Sequence, residues 1–162
     1  MSDHHLAQMN IGALRAPLDD PSMAEFTAAL DPVNALADAA PGFVWRLTDE
    51  GANDATATRP FGEDVLVNMS VWEDLESLRA FTYRSAEHLD FLRRRRDWFV
   101  PLGRPGLVLW WVPAGHLPTP EEGGERLELL RANGPGPDAF TFRAPFPAPG
   151  VRAGRGRVPE PG

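Results

Sequence analysis

The sequence predicts an α+β fold: a ferredoxin-like βαββαβ antiparallel sheet with an extra C-terminal helix. Three observations predict it. Four short stretches alternate or run apolar over strand lengths, two longer stretches between them repeat at helical spacing, and Pro/Gly clusters separate them in the order strand, helix, strand, strand, helix, strand. The 162 residues, 43% of them hydrophobic, suit one domain with a real core plus a tail. We place the domain at residues 4–143 and read 144–162, mostly Pro, Gly, Ala and Arg, as a disordered tail.

Residues 6–14 form the first strand, with Ala7, Met9 and Ile11 on one face and Gln8 and Asn10 on the other. Pro17 and Pro21 end it. Ser22 with Glu25 makes a capping box for a helix carrying Met23, Phe26 and Leu30. At Asp31-Pro32 that helix kinks, or a new one starts with Asp31 as cap, before Pro41-Gly42 stops it. Residues 43–47 are a short second strand and 49–63 an exposed loop. In the third strand, 64–71, Val65, Val67, Met69 and Val71 share one face, while Leu66, Asn68, Ser70 and the following Trp72 share the other. One long helix then runs to Phe99, started by Asp74 or Ser70. Residues 107–112 are a fully apolar fourth strand with Trp110 and Trp111 on opposite faces. Thr119-Pro120-Glu121-Glu122 gives a threonine cap, proline at the first helical position and acidic residues at the positive dipole end, so a further helix follows, with Leu127 and Leu130 inward. Phe140-Thr141-Phe142 is an extended piece packing on the body.

Composition removes several function classes. No cysteine is present, which excludes disulfides, thiolate metal sites and cysteine nucleophiles, and suits a cytoplasmic protein. The net charge of −7 argues against nucleic acid as a partner. No apolar run approaches the roughly 18 residues of a membrane span, and the N-terminus has no signal-peptide pattern. No phosphate-binding glycine motif or serine elbow occurs.

The chemistry-bearing candidates lie around the long helix. At about 100° per residue, Arg84, His88 and Arg95 fall on one stripe beside Phe81 and Leu92. His88 on such a face is a general base, a pocket donor, a haem or metal ligand, or a satisfied core or interface histidine. Two nearby arginines would keep its imidazole neutral and able to accept a proton. Position 84 is Arg and 92 is Leu, so no second ligand stands at helical spacing and a protein-only metal site is not expected. Asn10 and Asn68 are strand amides that either bind substrate or satisfy one another. Trp72 shares the Asn68 face, and Tyr83 either positions a phenol-like substrate or lies on the helix surface. The face carrying Gln8, Asn10 and Asn68 suggests cover by a second subunit, hence a homodimer. His4 and His5 are expected to be mobile, His116 to make a loop hydrogen bond, and Arg93 and Arg94 to pair with Asp90.

Three segments carry a family resemblance: residues 36–47 (LADAAPGFVWRL), residues 83–88 (YRSAEH) with 95–99 (RRDWF), and residues 111–119 (WVPAGHLPT). Together they resemble a bacterial family of unknown function in the dimeric α+β barrel superfamily, similar to antibiotic-biosynthesis monooxygenases. The resemblance covers roughly residues 5–145 and implies a ferredoxin-like dimer. Relatives oxidise small, often aromatic molecules without metal or flavin; others bind haem, and some only bind ligands. The function expected is therefore small-molecule binding, with monooxygenase-like oxidation of an electron-rich aromatic as its most concrete form. In that form His88 guides a proton and Asn10, Asn68, Trp72, Tyr83 and Arg84 hold the substrate, with no cofactor. The alternatives are a non-enzymatic ligand-binding or structural dimer and a haem protein with His88 as axial ligand.

Overall fold

The computed structural model of the chain describes residues 3–150. β1 (His4–Leu14) is its central strand. It pairs antiparallel with β3 (Val65–Trp72) from Leu6↔Trp72 to Ala13↔Val65. Its other edge pairs with β5 (Leu107–Pro113) over residues 4–10, and with the two-residue β4 (Phe99–Val100) at Ala13 and Leu14. β2 (Phe43–Arg46) lies outside β3. The resulting antiparallel order β2-β3-β1-β5 is the ferredoxin-like arrangement expected from the sequence. His4 and His5 are not mobile: they pair with Pro113 and Val112 as the first residues of β1.

Alternation along the strands gives the sheet two faces. The first carries Ala7, Met9, Val67, Met69, Val71, Val108, Trp110 and Val112, all buried. α5 (Pro120–Asn133) packs on it through Leu127 and Leu130, and Thr119 caps that helix by accepting from the Glu122 N–H at 3.1 Å. Gly123 lets the helix approach, because a Cβ there would stand 2.4 Å from Met9 Sδ. The second face carries Leu6, Leu14, Leu66, Trp72, Leu109 and Trp111, against α1 (Ala24–Asp38) and the helical segments after β3.

Gln8, Asn10 and Asn68 alternate with Leu6 and Leu14 or with Leu66, so they lie on this second face. They are therefore on the helix-bearing face and not on the open one expected from the sequence: the chain's own helices flank them, and α5 occupies the opposite face.

The expected long helix is three: α2 (Leu75–Arg84), α3 (Ala86–Arg93) and α4 (Arg95–Trp98). Asp74 caps α2, accepting from the Ser77 N–H at 2.8 Å. Ser85 breaks the run. Its backbone is extended, and its hydroxyl accepts from the His88 N–H at 3.3 Å, capping α3. A serine offers the backbone this alternative to continued helix. Arg84, His88 and Arg95 thus belong to three helices, and the stripe drawn through them does not exist. α1 is continuous through Pro32, so no fresh helix starts at Asp31. Asp20, not Ser22, caps the short 3-10 turn that precedes α1. Arg94 pairs with Glu25 and Asp97 instead of Asp90, and its guanidinium lies over the Trp98 ring at 5.0 Å.

Phe140 extends the sheet locally, exchanging two 2.9 Å backbone bonds with Leu109. Packing continues past Arg143: Phe146 joins the aromatic cluster, and its carbonyl accepts from Trp111 Nε1 at 2.8 Å. The rest of the expected tail, 151–162, lies outside the described residues. Among the described residues no helix is long and apolar enough to cross a membrane.

Candidate functional site

The second sheet face holds a connected polar row. Gln8 pairs across the strands with Ser70, and Asn10 with Asn68. Trp72 Nε1 donates to Ser70 Oγ at 2.9 Å. Gln8 Nε2 donates to Ser70 Oγ and to Asn68 Oδ1, both at 2.8 Å. Asn10 Nδ2 donates to Gln8 Oε1 and to Asn68 Oδ1, both at 3.2 Å. Gln8 and Ser70 are buried, so these bonds offset the cost of taking them from water. Asn10 and Asn68 are exposed at the open end. Cross-strand neighbours stand about 5 Å apart at Cβ, so the two asparagines form one small patch.

Trp72 is 1% exposed. It cannot touch a ligand directly, contrary to its expected role as a substrate contact; it holds Ser70 instead. Its indole begins an aromatic row: Phe43 meets it edge-on at 5.4 Å, Phe81 stacks on it at 5.4 Å, and His88 lies 4.9 Å from Phe81.

His88 is half-buried. Its Nδ1–H donates to the Thr82 carbonyl at 3.1 Å, which in the neutral ring leaves the lone pair on Nε2. Burial pushes its pKa below the ordinary histidine value, against the opposing pull of the Thr82 bond. The neutral imidazole expected from the sequence is thus supported, but by burial and not by arginines. Arg84 sits at the surface, its side chain 71% exposed and paired with Glu76 at 3.2 Å. Tyr83 is exposed and meets Phe142 edge-on at 5.4 Å. His116 makes more than a loop bond: its Nε2 lies 2.7 Å from Glu122 Oε1, and the other oxygen of Glu122 accepts from Trp110 Nε1 at 2.9 Å.

A groove of about 460 Å³ runs between the C-terminal end of α1 and α2, lined by Leu36, Ala40, Pro41, Ala80, Phe81 and Arg84 among others. The amides, Tyr83 and His88 do not line it. The structure therefore brings Asn10 and Asn68 together and leaves Arg84 and Tyr83 elsewhere. Haem iron could meet His88 only through Nε2, and His88 does not line this groove. Among the described residues no three His, Asp or Glu side chains gather as a metal would need.

Sequence reasoning weighed Gln8 with Asn10 and Asn68 as amides that pair or bind substrate but did not place it among the site residues, and it gave Ser70 no part in the site. The signal was present: polar residues recur two apart in both β1 and β3, and only the register shows that the two pairs face each other.

Solved structures similar to the chain include SnoaB, a cofactor-independent oxygenase from Streptomyces nogalater, at 16% identity over 72% of this chain and 97% of that one, with a TM-score of 0.44. Rv0793 from Mycobacterium tuberculosis matches at 14% identity over 71% and 99%, TM-score 0.46. A conserved protein from Methanosarcina mazei Go1 matches at 10% identity over 68% and 93%, TM-score 0.49. Such identities carry no chemistry across. No curated protein matches the chain. A family model does match, over residues 5–156, and on that span the chain belongs to the family described as Domain of unknown function (DUF3291).

Proposed function

We propose that the protein binds a small planar, electron-rich aromatic molecule on the Asn10–Asn68 patch and oxidises it in a monooxygenase-like reaction. One observation carries the proposal: on a face otherwise filled by apolar side chains, a row of hydrogen bonds runs from buried Gln8 and Ser70 to two exposed amides, each with a polar atom to spare. Buried polar networks are costly unless fully satisfied, and this one fixes the orientation of the two groups at its open end.

In the reaction, an activated methylene and dioxygen become a carbonyl and water. The substrate loses a proton, its carbanion gives electrons to oxygen, and no outside reductant is needed. Asn68 Nδ2 donates to an oxygen substituent of the ring and stabilises the negative charge that develops there, while Asn10 Oδ1 accepts from a neighbouring hydroxyl of the substrate. His88, neutral with Nε2 as acceptor, is the base at the end of the Trp72–Phe81–His88 row. Gln8, Ser70 and Trp72 position the asparagines. A homodimer belongs to this reading on the strength of the family resemblance, and light scattering at low protein concentration tests it.

The chemistry is tested with a hydroxylated anthrone in air-saturated buffer, following oxygen uptake and quinone absorbance together. The proposal expects equal oxygen and quinone stoichiometry above the spontaneous rate, reduced at least about tenfold in Asn68→Ala. No rate above the spontaneous one contradicts oxidation. Turnover unchanged in His88→Ala removes the histidine from the mechanism and leaves the amides.

A further inference from the structure

The polar row restricts what its open end can recognise, whichever way its amides are turned. Each amide has one face that accepts and one that donates. In the observed arrangement Asn10 spends Nδ2 and Asn68 spends Oδ1 on internal bonds. Asn10 Oδ1 and Asn68 Nδ2 then have no partner among the described residues.

Turning any one amide alone sets donor against donor or acceptor against acceptor. Turning all three keeps every contact: Gln8 Oε1 takes bonds from the Ser70 hydroxyl and Asn68 Nδ2, and Asn10 Oδ1 takes bonds from Gln8 Nε2 and Asn68 Nδ2. Trp72 Nε1 still donates to Ser70, whose hydroxyl proton is the single atom that must find a new direction. The free pair becomes Asn10 Nδ2 and Asn68 Oδ1. Both arrangements end in one donor and one acceptor, and none that preserves the internal bonds ends in two of a kind.

We infer that the site selects neutral ligands whose edge carries a donor beside an acceptor, such as a lactam or a hydroxyl flanking a carbonyl, and rejects carboxylates and other edges that only accept. The inference rests on the reading that the ligand lies on the Asn10–Asn68 patch, and it deepens that reading. A carboxylate there would set an anion against the free amide oxygen, leaving one acceptor unpaired and facing charge. The two arrangements also let the same site take a substrate in either of two tautomers, since exchanging donor and acceptor on the ligand is matched by the concerted turn of three amides.

The test compares 2-quinolone, whose N–H and C=O lie side by side, with N-methyl-2-quinolone, which has lost the donor, and with quinoline-2-carboxylate, by calorimetric titration. The wild-type protein should bind 2-quinolone about tenfold more tightly than either. In Asn68→Asp the free atom at position 68 can only be an acceptor, so this variant should lose that preference and favour 2-aminobenzimidazole, an edge of two donors. Equal affinity of the wild type for all three quinoline compounds overturns the edge rule while leaving aromatic binding in place. A 2-quinolone preference that survives in Asn68→Asp overturns the assignment to these amides. Absence of binding by every probe overturns both the rule and the reading beneath it. Matched melting temperatures confirm that the variant is folded.

Discussion

The two faces of the sheet are cut from the same strands and built for different ends. Met9 and Asn10 are chain neighbours in β1. Met9 is fully buried under Gly123 of α5, among Ala7, Val67, Met69, Val108 and Trp110. Asn10 is exposed, bonded to Gln8 and Asn68, between helices that leave it open. The period of two that sends alternate residues to opposite faces lets one strand carry the stability on one side and a polar row on the other. Four polar residues on a central face are not what packing alone would select, because apolar residues of similar volume would pack there without needing partners. The difference separates substitutions that should unfold the protein from those that should silence its site.

The largest effect belongs to the dry face. Trp110→Ala removes a fully buried indole and the donor to Glu122, and should cost about 3–5 kcal/mol in urea unfolding. A loss under about 1 kcal/mol would mean that α5 does not seal this face. Gly123→Ala should cost about 1–3 kcal/mol by forcing Met9 aside, with most of the loss recovered in a Met9→Ala background.

His88 gives a smaller effect with a definite sign. Its folded pKa lies below the ordinary value of 6.5, so between the two the unfolded chain binds more protons than the folded one. Its contribution to stability is therefore full above 6.5 and lost as pH falls through the folded pKa. Melting curves from about pH 7.5 to about pH 5 should show a steeper loss in the wild type than in His88→Ala. Parallel profiles would mean that the imidazole is not buried. The last substitution is the sharpest for the comparison: Asn68→Ala should cost about 1 kcal/mol, because it takes an acceptor from the buried Gln8 Nε2, while weakening ligand binding at least about tenfold.

The fold was legible because its signals are local. Alternation at 6–14 and 64–71, the Thr119-Pro120 cap and the proline and glycine stops each act within a few residues. The order of elements then left one sheet arrangement. What stayed hidden depends on distant parts of the chain. Ser85 reads equally well inside a helix or as a cap, and the cap prevails through a single hydroxyl bond to the His88 N–H. Nothing within residues 119–133 says that α5 takes the face opposite to the other helices; that choice follows from Gly123 meeting Met9, more than a hundred positions away. Asn10 and Asn68 could be named as candidates, but Gln8 and Ser70 acquire their importance only from the register of β1 against β3. Trp72 was assigned to the right face and the wrong depth, since alternation gives direction and not burial.

The most direct measurement is a titration of the side-chain amide NMR signals with 2-quinolone. The resonances of Asn10, Asn68 and Gln8 should shift together and saturate along one binding curve, with the α1–α2 groove undisturbed. Shifts confined to residues of that groove, such as Ala80 and Phe81, with the three amides unmoved, would contradict the account.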